Sequence, residues 1–313
     1  MRNLKVVEQA SLIAEKQFAQ ILYTSKTFLE VNNNLPQIHF WLMETTDQTA
    51  LGHVSFSLEE GKALSPAKAP FGGFSLADSL KSEELTFFIF EVIRKLKNLN
   101  ISAIYLKSAP DNYGIHLSVL NQNLVYAGFS GLKDFEYQSI MVTDEAFDSK
   151  IAEMENRKLK KCEKEGFEFK LLSQNHLHAV FQFVKAHRDE KGYDFSMDWE
   201  SLKMANLALP NIYLPMAVFD GPKMIAATIA IRAIDKVLYN FSPAHDWDYH
   251  QFSPVVMLTQ GLYHFCQTNG FTHLDLGTSY LDDAINEGLK SFKSRLGAET
   301  FFGHSYHKIL SSH

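Results

Sequence analysis

The stretch Asn269-Gly270-Phe271-Thr272-His273-Leu274-Asp275-Leu276-Gly277-Thr278-Ser279 joins two elements of opposite periodicity. Before it, Val255, Leu258, Leu262 and Phe265 recur at helical spacing after Pro254, which suits a first helical turn. Asn269-Gly270 ends that helix, and Thr272–Gly277 then reads as a short buried strand. Upstream, Ile212–Phe219, Met224–Arg232 and Lys236–Ser242 are strands joined by turns at Asp220-Gly221-Pro222 and Ala233–Asp235. Downstream, a basic turn within Asn286–His304 precedes Gly297. The first half offers the same order: paired strands at Leu51–Ser65, a helix at Glu83–Asn98, a strand at Ala103–Ser108, and a tail Leu120–Gln138 with Gly128 before its strand. Landmarks lie about 170 residues apart, the lag of two copies of one α/β domain rather than of a short repeat. Identity between the halves is negligible, so the correspondence is one of element order.

A chain of 313 residues, 46% hydrophobic and 21% charged, is long enough for two cored domains. The expected division is 1–146 and 147–313, the second part opening with a charged helix over Phe147–Glu165. Near the N-terminus, Leu4–Val7 reads as a strand and the residues through about Tyr23 as a helix. A formal charge of −6 argues against duplex nucleic acid as partner, because a phosphate backbone calls for a net basic face. The basic run Arg157, Lys158, Lys160, Lys161 and Lys164 fits a solvated helix as well as an anion site. Two cysteines, Cys162 and Cys266, exclude a disulfide framework and favour a reducing compartment. No apolar run approaches the ~18–20 residues of a membrane span, and Met1–Gln9 lacks a signal core. A cytoplasmic protein is expected, and oligomeric state is not readable.

The residues able to do chemistry fall in four places. In the loop Pro70–Phe74, adjacent Gly72 and Gly73 permit positive φ or the close approach of a ligand or of another backbone. The helix start at Ser253, Val255 and Val256 is an anion site on dipole grounds. Lys290, Lys293 and Arg295 crowd one short turn and either meet a phosphate or carboxylate or remain solvated. Asp275 sits in an apolar strand, where an unpaired carboxylate is costly, so it holds a local network or serves as a base. His245, in the loop Pro243–His250 with Asp246, Trp247, Asp248 and His250, is either a proton acceptor or part of a plain loop anchored by Trp247. A metal is discounted there, since no cysteine or spaced second half accompanies it. Tyr239, on the strand entering this loop, donates a proton or packs. No Gly-x-Ser-x-Gly elbow occurs and neither cysteine has a nucleophile's setting.

Asn269–Ser279 together with Gly288-Leu289-Lys290-Ser291-Phe292-Lys293-Ser294-Arg295-Leu296-Gly297-Ala298-Glu299 resembles the C-terminal signature of the FemAB-like branch of the GNAT acyltransferase superfamily. The Pro70–Phe74 loop and the basic helix ending Glu163-Lys164-Glu165-Gly166 resemble that group too. The resemblance implies an α/β fold of two tandem GNAT-like domains, each a mixed, mostly antiparallel sheet flanked by helices. It further implies an enzyme that moves an acyl or aminoacyl group to an amine, with acyl-CoA, an acyl carrier protein or aminoacyl-tRNA as donor substrate and no tightly bound cofactor. The acceptor it implies is the amine of a small molecule or a cell-wall precursor. One departure stands out. Where coenzyme A-binding members carry a glycine-rich turn, this chain reads Tyr249-His250-Gln251-Phe252-Ser253-Pro254-Val255-Val256, with no glycine and a proline that removes one N–H. A catalytically silent binding protein that keeps the twin shell is the alternative.

Overall fold

The structure is a computed structural model that describes residues 2–8, 13, 15–32, 34–114, 117–192, 197–281 and 284–310. It forms two compact units, Met1–Phe135 with Phe302–His313, and Glu136–Phe301. This differs from the expected 146/147 division in two places: residues 136–146 lie in the second unit and residues 302–313 in the first. Among the described residues no helix is long and apolar enough to cross a membrane.

In the first unit, Leu4–Val7, Gln37–Glu44, Thr49–Glu59 and Lys62–Ser65 pair antiparallel in succession. Lys62–Ser65 then pairs parallel with Ala103–Lys107, and the helix Ser82–Asn98 makes the crossover. That helix forms because Leu85, Phe88, Ile89, Val92, Ile93 and Leu96 fall on one face, which it buries. Glu84 accepts a hydrogen bond from Lys81 N at 3.0 Å and closes its first turn. Among the described residues the expected helix through Tyr23 is absent. Glu15–Lys16 pairs parallel with Thr49–Ala50, a 3-10 turn covers Leu22–Thr24, and the helix is Lys26–Asn32. Tertiary packing overrides local periodicity there, since Ile13 and Phe18 are drawn onto the Trp41, Met43 and Ala50 cluster on the sheet.

The second unit repeats the pattern. Glu168–Leu171, Tyr213–Asp220, Lys223–Ile234 and Val237–His245 pair antiparallel in succession, and Val237–His245 pairs parallel with His273–Thr278. The crossover helix Val255–Asn269 buries a wide stripe, Val256, Met257, Leu258, Leu262, Tyr263 and Cys266, against Leu238, Leu274 and Leu276. Gly261 is required in this helix, because a Cβ there would meet the Phe169 ring at 2.2 Å. The expected helix over Phe147–Glu165 divides into Phe147–Lys150 and Glu153–Lys164.

In each unit an antiparallel strand flanks the parallel pair, and it comes from the other half of the sequence. Ser305–Ile309, the end of strand Glu299–Ile309, pairs with Ala103–Lys107. Tyr137 to Met141, the end of strand Ser130–Met141, pairs with His273–Thr278. This exchange is why the unit boundary falls inside two strands.

Candidate active site

The parallel pair of the second unit is short. Val237 faces His273, Leu238 faces Leu274 and Tyr239 faces Asp275, and among the described residues the pairing ends there. Both strands turn aside at this point for visible backbone reasons. Val237–His245 carries a bulge, since Ala227 faces Ala244 but Ile229 faces Phe241, with Ser242 at φ 55°. In the partner strand Gly277 adopts φ 72°, which a residue with a Cβ resists. A wedge thus opens between Asn240–His245 and the turn after Asp275, leaving that edge of Asn240–His245 without a strand partner.

Gly277 gathers the side chains at the apex of the wedge. Its N–H donates to the Asp275 carboxylate at 2.7 Å. Its carbonyl accepts from Lys293 Nζ at 3.0 Å, and the Thr278 carbonyl accepts from the same ammonium at 2.6 Å. The Tyr239 ring lies so close that a Cβ on Gly277 would sit 3.1 Å from it. Asp275 is fully buried and Lys293 is 7% exposed. Burial pulls the Lys293 amine down to about 7, opposed by the Asp275 charge. Burial and then Asp275 push the Tyr239 phenol upward, and the Tyr137 phenol responds in the same way. At neutral pH the apex therefore holds protonated phenols and an amine poised to gain or lose a proton.

The other expected residues are not part of this group. His245 ends the strand beyond the bulge from Tyr239, and its Nε2 is buried without a partner. Burial, with Lys191, His250 and His187 adding to it, lowers its imidazole to about 4. Lys290 is held by Glu136 at 2.5 Å. Arg295 donates to the fully buried Glu155 at 2.8 Å and to Ser291 Oγ at 2.9 Å. The anion grip expected of Lys290, Lys293 and Arg295 is thus replaced by two ion pairs and a buried amine. Ser253 has φ 53°, and its carbonyl takes the Val256 N–H at 2.9 Å, so that donor is spent before any anion arrives at Val255 and Val256. Gly72 and Gly73 lie in the first unit, where their N–H groups bond Lys107 O at 2.8 Å and Ser65 Oγ at 3.0 Å. Their role is close backbone approach.

The features the residues alone did not reveal are the burial of Lys293 and the place of Tyr137. One signal was present: Lys293 stands beside Phe292 and one turn before Leu296, on the apolar face of its helix.

Residues 150–294 match the family model described as acetyltransferase (GNAT) domain. FemX is similar in structure, with 12% identity, a TM-score of 0.70 and 92% of each chain covered. L-PGS from Bacillus licheniformis is similar at 12% identity and TM-score 0.57, covering 87% of this chain and 84% of that one. A conserved protein of unknown function from Bacteroides thetaiotaomicron reaches TM-score 0.58 at 8% identity, covering 99% and 100%. No curated protein matches. The fold is therefore that of FemX, a mostly antiparallel, partly parallel mixed sheet flanked by helices, and the resemblance carried by Asn269–Ser279 and Gly288–Glu299 holds.

Proposed function

We propose that this protein transfers an acyl or aminoacyl group from an activated carrier to an amine, and that the transfer occurs in the wedge of the second unit. The observation that carries the reading is the parting of the parallel strands after Tyr239 and Asp275, with Lys293 buried at the apex. The unpaired edge of Asn240–His245 offers backbone groups to an extended donor arm, as a sheet edge does to an added strand. The donor carbonyl lies at the apex. An incoming amine attacks it, a C–N bond forms, and the C–S or C–O bond to the carrier breaks. The proton lost by the amine passes to Lys293 in its neutral form, or to Asp275, and returns to the departing thiolate or alkoxide. Tyr239 remains protonated and donates a hydrogen bond to the oxygen that becomes negative. Lys290 and Arg295 hold the helix Glu287–Arg295 in place from outside the reaction.

The paired order of elements and pairing senses supports two copies of one domain, of which the second carries the chemistry. Two buried free thiols, Cys162 and Cys266, support a cytoplasmic setting. An amine of a small molecule or of a cell-wall precursor is the proposed acceptor class. The test is release of carrier from acyl-CoA, acyl carrier protein and aminoacyl-RNA donors in the presence of a panel of amines, with Lys293→Met as control. Turnover lost in that variant supports the reading. Donor binding without turnover against every amine would instead make the protein a binding shell.

A further inference from the structure

At the open end of the wedge strand the chain makes an unusual surface. His245, Trp247 and His250 lie with their rings nearly parallel: 26° between His245 and Trp247 at 6.1 Å, 21° between His245 and His250 at 5.9 Å, and 21° between Trp247 and His250 at 4.2 Å. Several aromatic pairs in the core are crossed instead, as in Tyr23–Phe71 at 81°, Phe71–Tyr113 at 75° and Phe74–Phe88 at 83°. Edge-to-face packing satisfies the quadrupoles of those crossed rings, whereas a parallel surface stack presents flat faces to a visitor. Trp247, at the start of the 3-10 turn Trp247–Phe252, is 57% exposed, whereas Trp41 on its strand is 4% exposed.

The charges around the stack suit an anion carrying a flat ring. Lys191 Nζ sits 4.9 Å from the centre of the Trp247 ring on a flexible stem. The neighbouring carboxylates Asp246 and Glu190 are engaged, by Lys223 at 2.9 Å and His187 at 2.9 Å, while exposed Asp248 is a further negative charge that Lys191 must outweigh. His245 stays neutral near pH 7, and its Nε2 is buried without a partner. Beside this loop, the helix start at Val255 offers fewer donors to a pyrophosphate, since Pro254 has no N–H and Val256 gives its own to Ser253. A larger share of donor affinity then falls to other parts of the carrier. Two of the three carrier classes share one planar group, because coenzyme A and the 3′ end of an aminoacyl-RNA both carry adenosine, whereas the arm of an acyl carrier protein does not.

We propose that Trp247 and His250 form a stacking platform for the adenine of an adenosine-terminated donor, with Lys191 swinging off the indole to meet the adjoining phosphate. The proposal rests on the transferase reading above and names the handle by which the donor is held. Stacking is tolerant of the base and strong enough to matter, of the order of tenfold in affinity or more for one base.

Calorimetry with wild type, Trp247→Leu and His250→Ala against coenzyme A, pantetheine and a short RNA ending in CCA tests it, with the same RNA lacking its last adenosine as control. The expected result is that coenzyme A or the CCA-ended RNA binds wild type and is weakened about tenfold by Trp247→Leu, while pantetheine is unaffected. Response to coenzyme A alone assigns a thioester donor, and response to the CCA-ended RNA but not to the shortened RNA assigns an aminoacyl-RNA. Equal dissociation constants for wild type and Trp247→Leu would overturn the platform, as would failure of both adenosine-bearing probes to bind. Transfer from acyl-pantetheine, followed in parallel, separates the two readings. If it proceeds equally in wild type and Trp247→Leu while adenosine-bearing probes ignore the variant, the transferase stands and the platform falls.

Discussion

The two parallel strand pairs of this molecule start alike and end differently. In the first unit Lys62–Ser65 faces Ala103–Leu106 along its whole length, and the position beyond is filled by the Gly72–Ser108 bridge. In the second unit Val237–His245 keeps its partner only from Val237 to Tyr239, and the strands then part. The same order of elements and the same crossover helix thus produce a sealed seam in one case and an open one in the other. What differs is local. Gly72 and Gly73 let a loop lie against Lys107 and Ser65, while Ser242 and Gly277 bend two strands away from each other. Topology supplies the place for a site, and a few residues of special backbone conformation decide whether it is open.

The sharpest way to break this comparison is Lys293→Met. If the open seam is the reactive one, turnover should fall by ~10²–10⁴-fold, the usual share of a lost acid–base group, while the melting temperature holds or rises. Undiminished turnover would leave the wedge without its chemistry. Next in size is Arg295→Ala, expected to lower stability by ~3 kcal/mol in urea unfolding, because the fully buried Glu155 would keep only Lys158 as a cationic partner. A change confined to donor affinity would return Arg295 to the anion site. On the sealed seam, Gly72→Ala should cost ~1–3 kcal/mol of stability and leave turnover per folded molecule unchanged, since its Cβ would lie 3.1 Å from the Pro66 nitrogen. A catalytic defect in that variant would mean that the first seam takes part after all.

Acidity separates the seams more gently. The Lys293 amine titrates near 7 in the fold against 10.5 in the unfolded chain. Between those values the unfolded chain holds a proton that the folded chain lacks, so stability should rise with pH across this window and turnover should rise through about pH 7. Both slopes should vanish in Lys293→Met. In the first unit His39 Nδ1 and His53 Nε2 share a hydrogen bond at 3.1 Å, and burial lowers both imidazoles from 6.5. There the unfolded chain takes up protons that the fold refuses, so stability is complete above 6.5 and declines as pH falls below it. His53→Gln should flatten that decline, which a urea series between pH 7 and 5 would show.

Much of this was legible without coordinates. Leu85–Leu96 and Val255–Phe265 were found as helices because their apolar residues repeat at 3.6, and the three strands between Ile212 and Ser242 because Asp220-Gly221-Pro222 punctuates them. Asp275 and Tyr239 are both legible as residues on strands, one before and one after the crossover helix, and the structure pairs them face to face. The segment before Tyr23 misled because its apolar residues answer to Trp41 and Met43 on a sheet, not to each other.

By itself the sequence determined the succession of helices and strands and the repeat of that succession, since these follow from hydrophobic period and turn chemistry, which are local. Only the tertiary structure decided which strand completes each unit, that Lys290 and Arg295 are tied up by Glu136 and Glu155, and that Lys293 is a buried amine instead of a solvated charge. Ion pairing and desolvation depend on distances between residues far apart in the chain, and a list of residues contains no distances.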